Sequence, residues 1–172
     1  WKALSFPGGF PETNYLSLPP VFPKDDYTVS MWIKQIESQD WVSALYVRYQ
    51  GGFASFMPVV KGGRSIYRIN EDAHLDVWHD AITKALNVDE WNFVAATYDS
   101  FAAIIRLYIN GELCATISGV PNMGEAKEVW IGGDVFQNSF CGLISAVQIS
   151  NVTMESIEIK EMYDKIREEL NH

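Results

Sequence analysis

With 172 residues, 48% of them apolar and 13% aromatic, the chain has enough material for one sizeable hydrophobic core. Its formal net charge of −9 argues against the nucleic-acid phosphate backbone as a partner, because that binding rests on cationic neutralisation, and it disfavours anionic membrane surfaces for the same reason. No apolar run reaches the ~18 residues of a bilayer-spanning helix, so no membrane insertion is expected.

Trp1 stands where a Met would start a complete chain, and no charged-then-apolar leader precedes it, so a module of a larger polypeptide is expected. Short stretches rich in Val, Ile, Tyr, Phe and Trp then recur between Gly, Pro, Asn and Asp, which is the pattern of a sandwich or barrel. From Thr28 to Gln35 the residues alternate, with Val29, Met31 and Ile33 on one face and Thr28, Ser30, Trp32 and Lys34 on the other. Further strands are predicted at Val42 to Arg48, Phe53 to Val60 and Ser65 to Asn70.

A strand predicted from His74 to Ala81 interleaves acids and imidazoles and would place His74, Asp76, Trp78 and Asp80 on one face. Such a face can serve as a general acid/base pair, a metal cluster or a sugar platform, or it can simply be a solvated strand edge. Strands follow at Asn92 to Tyr98, Ile104 to Ile109 and Leu113 to Ile117. Asn110-Gly111 between the last two supplies the positive φ values of a type I′ hairpin turn. Two late strands are expected at Glu128 to Ile131 and Phe140 to Ser150. From Met154 the apolar residues recur every three or four positions, predicting an amphipathic helix with Thr153 as its N-cap and Glu155 and Ser156 in its first turn.

Two cysteines, Cys114 and Cys141, are too few for a disulfide framework; they are either free thiols or one bridge between neighbouring strands. Asn151-Val152-Thr153 is an N-glycosylation sequon, which marks Asn151 as an acceptor if the chain is secreted.

Four collinear stretches resemble the concanavalin A-like lectin and glucanase superfamily, in its laminin-G-like and pentraxin-like branch. They are Ala3-Leu4-Ser5-Phe6 with Tyr15-Leu16-Ser17-Leu18-Pro19; Tyr27 to Lys34; Glu90 to Asp99 running on to Gly111; and Trp130-Ile131-Gly132-Gly133-Asp134 with Phe140 to Asn151, closing on Met154 and Ile157 to Tyr163. The resemblance implies an all-β fold in which two antiparallel sheets stack as a jelly-roll sandwich with a C-terminal helix, and a single laminin-G-like domain over residues 1–172. It places Trp32 and Trp91 in framework strands, where they are read as core packing. Members with structural calcium often carry acids at two positions occupied here by Pro7 and Ser145. Since calcium takes six to eight oxygen ligands, no cofactor is expected at that site, and Asp99 or Asp134 would have to serve a different one.

The fold hosts lectins, adhesion modules and polysaccharide-cleaving enzymes, so the site must decide. The Glu-x-Asp-x-x-Glu pattern of retaining glycosidases is missing, and no phosphate loop or serine elbow is present, so catalysis is not expected. Between Trp41 and Asp80, Tyr46 and Arg48 share one strand face, Arg68 and Asn70 a second, and Asp76 and Trp78 a third. Were those strands neighbours in register, two guanidinium groups, a carboxylate and an indole would form a patch suited to an acidic or neutral glycan. The expected function is a non-catalytic, extracellular or cell-surface module that recognises carbohydrate. A protein–protein adhesion or oligomerisation domain is the alternative, and a cell-surface protein would then be the partner in place of a glycan.

Overall fold

The structure, a computed structural model, describes residues 2–9, 14–72, 74–136 and 139–170. Among them two six-stranded antiparallel sheets lie face to face. The first contains β1 (Leu4–Gly9), β12 (Ser139–Ser150), β3 (Tyr27–Gln35), β8 (Trp91–Asp99), β9 (Ile104–Ile109) and β10 (Glu112–Ile117) in that spatial order. The second runs β2 (Leu16–Leu18), β11 (Glu128–Ile131), β4 (Leu45–Arg48), β5 (Phe53–Val60), β6 (Arg64–Asn70) and β7 (Trp78–Lys84). Consecutive strands cross between the sheets, as β3 to β4 and β7 to β8 do, and the result is the expected jelly-roll sandwich.

The core lies between the sheets because strand alternation sends every second residue inward. Val29, Met31 and Ile33 of β3 meet Leu45 and Val47 of β4, Ala54 and Phe56 of β5, and Tyr67 and Ile69 of β6 within one buried cluster. The Asn110-Gly111 turn forms as expected, with φ of 51° and 80°. It joins β9 and β10, which pair antiparallel with a bulge between Leu113 and Ala115.

α1 (Ser156–Leu170) lies across the outer face of the first sheet, so β3 is buried on both faces. Trp32 stacks on Tyr163 with centroids 5.7 Å apart and also meets Phe93 at 5.5 Å. Ile159 of the helix is fully buried against them. Trp32 therefore packs, as expected, although against the helix rather than between the sheets.

The helix cap differs from the expectation. Ile159 N–H donates to the Glu155 carbonyl at 3.1 Å, and the Glu155 N–H donates to the Glu158 carboxylate at 3.2 Å, so Glu155 is the cap and Glu158 closes a capping box. Thr153 instead donates its hydroxyl to the Tyr98 carbonyl at 2.6 Å, tying the segment before the helix to β8.

Cys114 on β10 and Cys141 on β12 are free. Three strands separate β12 from β10, which puts the two sites about 19 Å apart across the sheet. The bridge between neighbouring strands is thus corrected, since Cα atoms more than ~7 Å apart cannot be joined.

Candidate functional site

With the first sheet covered by α1, the outer face of the second sheet remains open. Its register brings distant residues into line. One cross-strand row reads Trp130, Tyr46, Ser55, Arg68 and Asp80, and the next reads Glu128, Arg48, Phe53, Asn70 and Trp78. All of these alternate with core residues and so face outward.

Of the six residues expected to form a patch, five stand on this face, but they do not gather in one patch. β5 runs between β4 and β6 and fills the gap with Phe53 and Ser55. Tyr46 is buried, in contact with Phe53 at 5.7 Å, Trp130 at 5.6 Å and Phe136 at 6.0 Å. Burial first, and then the nearby Asp134 charge, push its hydroxyl pKa up to about 12. Arg48 is engaged away from the cleft, pairing with Glu128 at 2.9 Å. Asn70 is wholly buried and holds the β6–β7 turn by donating its amide to the carbonyls of Asp72 and Val77 at 3.4 Å.

The strand predicted from His74 starts only at Trp78. His74 to Asp76 form a turn, with Asp76 at φ 52° and the His74 N–H donating to the Asp72 carboxylate at 2.8 Å. Of the face proposed there, Trp78 and Asp80 remain on β7, which is the edge strand of its sheet. His79, on the opposite face, contacts Glu71 at 2.6 Å. Among the described residues no three His, Cys, Asp or Glu side chains gather as a metal would require.

What the face does form is a cleft of about 300 Å³ into which Arg68, Asp76 and Trp78 project. Arg68 makes a two-pronged pair with Asp80, Nε to Oδ1 at 2.7 Å and the second nitrogen to Oδ2 at 2.9 Å. Its guanidinium carbon lies 4.3 Å from the Trp78 ring centroid and 5.4 Å from that of Trp41, so cation–π attraction joins two indoles across one cation. Trp41 reaches this place through a left-handed backbone, φ 65°, just before β4.

Polar groups also line the cleft. Ser43 Oγ lies 2.5 Å from Ser55 Oγ and donates to the Asp134 carboxylate, whose other oxygen accepts the Phe136 N–H at 2.7 Å. Asp134 is only 2% exposed, whereas Phe136 is 54% and Trp78 43% exposed. Gly132 delivers this segment. Its φ is +87°, and an added Cβ would fall 2.3 Å from the Phe6 ring, so the chain turns there with no room for a side chain.

Trp41, Ser43, Phe53, Ser55, Met57, Asp134 and Phe136 are the lining residues that pattern reading missed. Phe53 and Ser55 had a usable signal, since they lie one strand from Arg68 with the same parity. Asp134 and Phe136 arrive from a segment far along the chain, and only the closed fold brings them in.

The two calcium positions carry no carboxylate. Pro7 offers no side-chain oxygen, and the Ser145 hydroxyl is donated to the Lys2 carbonyl. The alternative acids are separately engaged: Asp99 accepts the Ala102 N–H at 3.0 Å, and Asp134 accepts the bonds described above. Asn151 of the sequon is exposed between β12 and α1.

Comparison with known proteins agrees with this architecture. A laminin-G-type model of the concanavalin A-like lectin/glucanases superfamily matches residues 10–160. No curated protein sequence matches the chain. The chain is similar to domain 4 of AbnA, a GH43 extracellular arabinanase from Geobacillus stearothermophilus solved in complex with arabinotriose. The TM-score is 0.78 at 17% identity, over 90% of this chain and 75% of that one. It is also similar to the Ruminococcus gnavus IT-sialidase CBM40 bound to α2,3-sialyllactose, with TM-score 0.76 at 17% identity over 95% and 97% of the two chains. A third likeness is to the heptameric SAP-like pentraxin of Limulus polyphemus, with TM-score 0.71 at 17% identity over 92% and 80%. At such identities the likeness is one of fold.

Proposed function

The chain belongs to the concanavalin A-like lectin/glucanases superfamily, and from that premise we propose that it is a non-catalytic module that recognises carbohydrate in the cleft on the second sheet. The observation that carries this reading is the pairing of exposed rings with fixed polar groups in one concavity. Trp78 and Phe136 offer apolar faces to the C–H surface of a sugar, while the exposed Asp76 brings an acceptor for its hydroxyls above a polar floor of Ser43, Ser55 and Asp134. The volume, near the bottom of the usual range for ligand pockets, suits about one or two sugar rings. That two similar folds were solved with arabinotriose and sialyllactose supports the same ligand class here.

A polysaccharide-cleaving role has less support. It needs two carboxylates free to act as acid and base or nucleophile, and both oxygens of Asp134 already accept hydrogen bonds. A protein-docking role for α1 also has less support, because Ile159, Met162 and Tyr163 of its apolar face pack on Trp32, Phe93 and Tyr108. An extracellular or cell-surface setting, with a glycan on Asn151, is part of the proposal and agrees with that residue's exposure.

Replacement of Trp78 or Phe136 by alanine tests the site, because both rings are exposed and little of the core depends on them. Each variant should bind an array-identified glycan about thirtyfold more weakly, some 2 kcal/mol, with the thermal midpoint moved by only a few degrees. Undiminished binding in both variants would move the site elsewhere and overturn the assignment.

A further inference from the structure

Resting on that reading, we propose that the cleft selects uncharged sugars and rejects those bearing a carboxylate or sulfate. The fold alone does not decide this, since one similar structure holds an acidic sugar and another a neutral one. The charges in the cleft do. Its one cation, among the described lining residues, is Arg68, and both prongs of its guanidinium are directed at Asp80. A two-pronged pair of that kind leaves little free positive charge and turns the planar fork away from any incoming anion.

Two further carboxylates, Asp76 and Asp134, line the same space with no basic lining residue to balance them. The lining, counted with Asp80 behind Arg68, therefore carries three carboxylates against one guanidinium. An anionic sugar would have to desolvate its charge beside like charges, which is the usual way a site excludes a competitor. An uncharged sugar finds the reverse, since the exposed Asp76 carboxylate accepts from its hydroxyls and the indoles cover its apolar face. Arg68 serves as a positioning residue in this scheme: between Trp41 and Trp78 it fixes the angle of the stacking rings.

The test uses the intact chain on an array pairing galactan with polygalacturonate oligomers, lactose with α2,3-sialyllactose, and cello-oligosaccharides with their uronic-acid forms. Bound sugars should be neutral, with each acidic counterpart at least tenfold weaker in low salt and the gap narrowing as salt screens it. Asp80→Asn, which frees the Arg68 charge, should raise the relative binding of the acidic members severalfold. If acidic members bind best, and Trp78→Ala abolishes that binding, the selectivity is wrong while the carbohydrate site stands. If the native chain binds nothing on the array, the carbohydrate reading fails and the selectivity with it.

Discussion

Arg68 contacts three side chains in a combination that only arginine can make. The planar fork spans both oxygens of Asp80, and the same plane lies over Trp78 and near Trp41. Lysine keeps the charge but loses the second prong and the stacking, so the substitution is not conservative here. The pair is only partly covered, with side chains 16% and 20% exposed, so the effect on stability is discounted for solvent screening. Arg68→Lys should lower the unfolding free energy by about 1 kcal/mol in urea titrations with an unchanged slope. Glycan affinity should fall further than stability, because Trp78 loses the planar guanidinium that orients its ring. Equal losses in the two measurements would reduce Arg68 to a surface ion pair.

Among the elements, α1 decides which face of the sandwich is free. Its contribution comes from packing more than from its ends: Ile159 is fully buried, whereas Glu158 forms an exposed capping hydrogen bond. Ile159→Ala should therefore cost about 3 kcal/mol and Glu158→Ala about 1 kcal/mol, read from denaturation midpoints. Neither should alter glycan affinity well below the midpoint, because the cleft lies on the other sheet; a parallel loss of binding would place the site at the helix.

The helix was legible because its apolar spacing is long and regular, and the β9–β10 hairpin because Asn110-Gly111 admits few other conformations. The β7 boundary was not. His74, Asp76, Trp78 and Asp80 alternate in sequence, but Asp76 adopts a left-handed φ and the first half of the run is a turn. Alternation among polar residues carries no burial signal to mark where pairing begins. The cleft was half legible for a related reason. Arg68 and Trp78 stand out by residue type and parity, while the place of β5 between β4 and β6, and the arrival of Asp134 and Phe136, depend on tertiary contacts that no local pattern encodes.

Across the whole molecule, charge and burial together predict how the fold responds to base. Between the sheets the Tyr27 and Tyr67 hydroxyls share a hydrogen bond at 2.8 Å, and Tyr49 lies in the same cluster. Desolvation raises the pKa of all three above the usual 10, and raises that of Tyr46 beneath the cleft to about 12. Above pH 10 an unfolded chain releases these phenolic protons while the folded chain keeps them, so protons are lost on unfolding and stability falls with rising pH. The stabilisation is complete below pH 10 and declines as pH climbs through 10 to about 12 and beyond. Tyr46 alone accounts for at most about 3 kcal/mol of that decline. A net charge of −9 at neutrality, growing as lysines lose their protons, adds repulsion in the same direction. Urea unfolding measured from pH 8 to 12 should give a level plateau followed by a steep fall, and Tyr46→Phe should make the fall shallower between pH 10 and 12. A native protein in which Tyr27, Tyr49 and Tyr67 ionise near pH 10, by absorbance at 295 nm compared with their Phe variants, without loss of fold would mean that these rings are wet and that the two sheets do not close on each other as described.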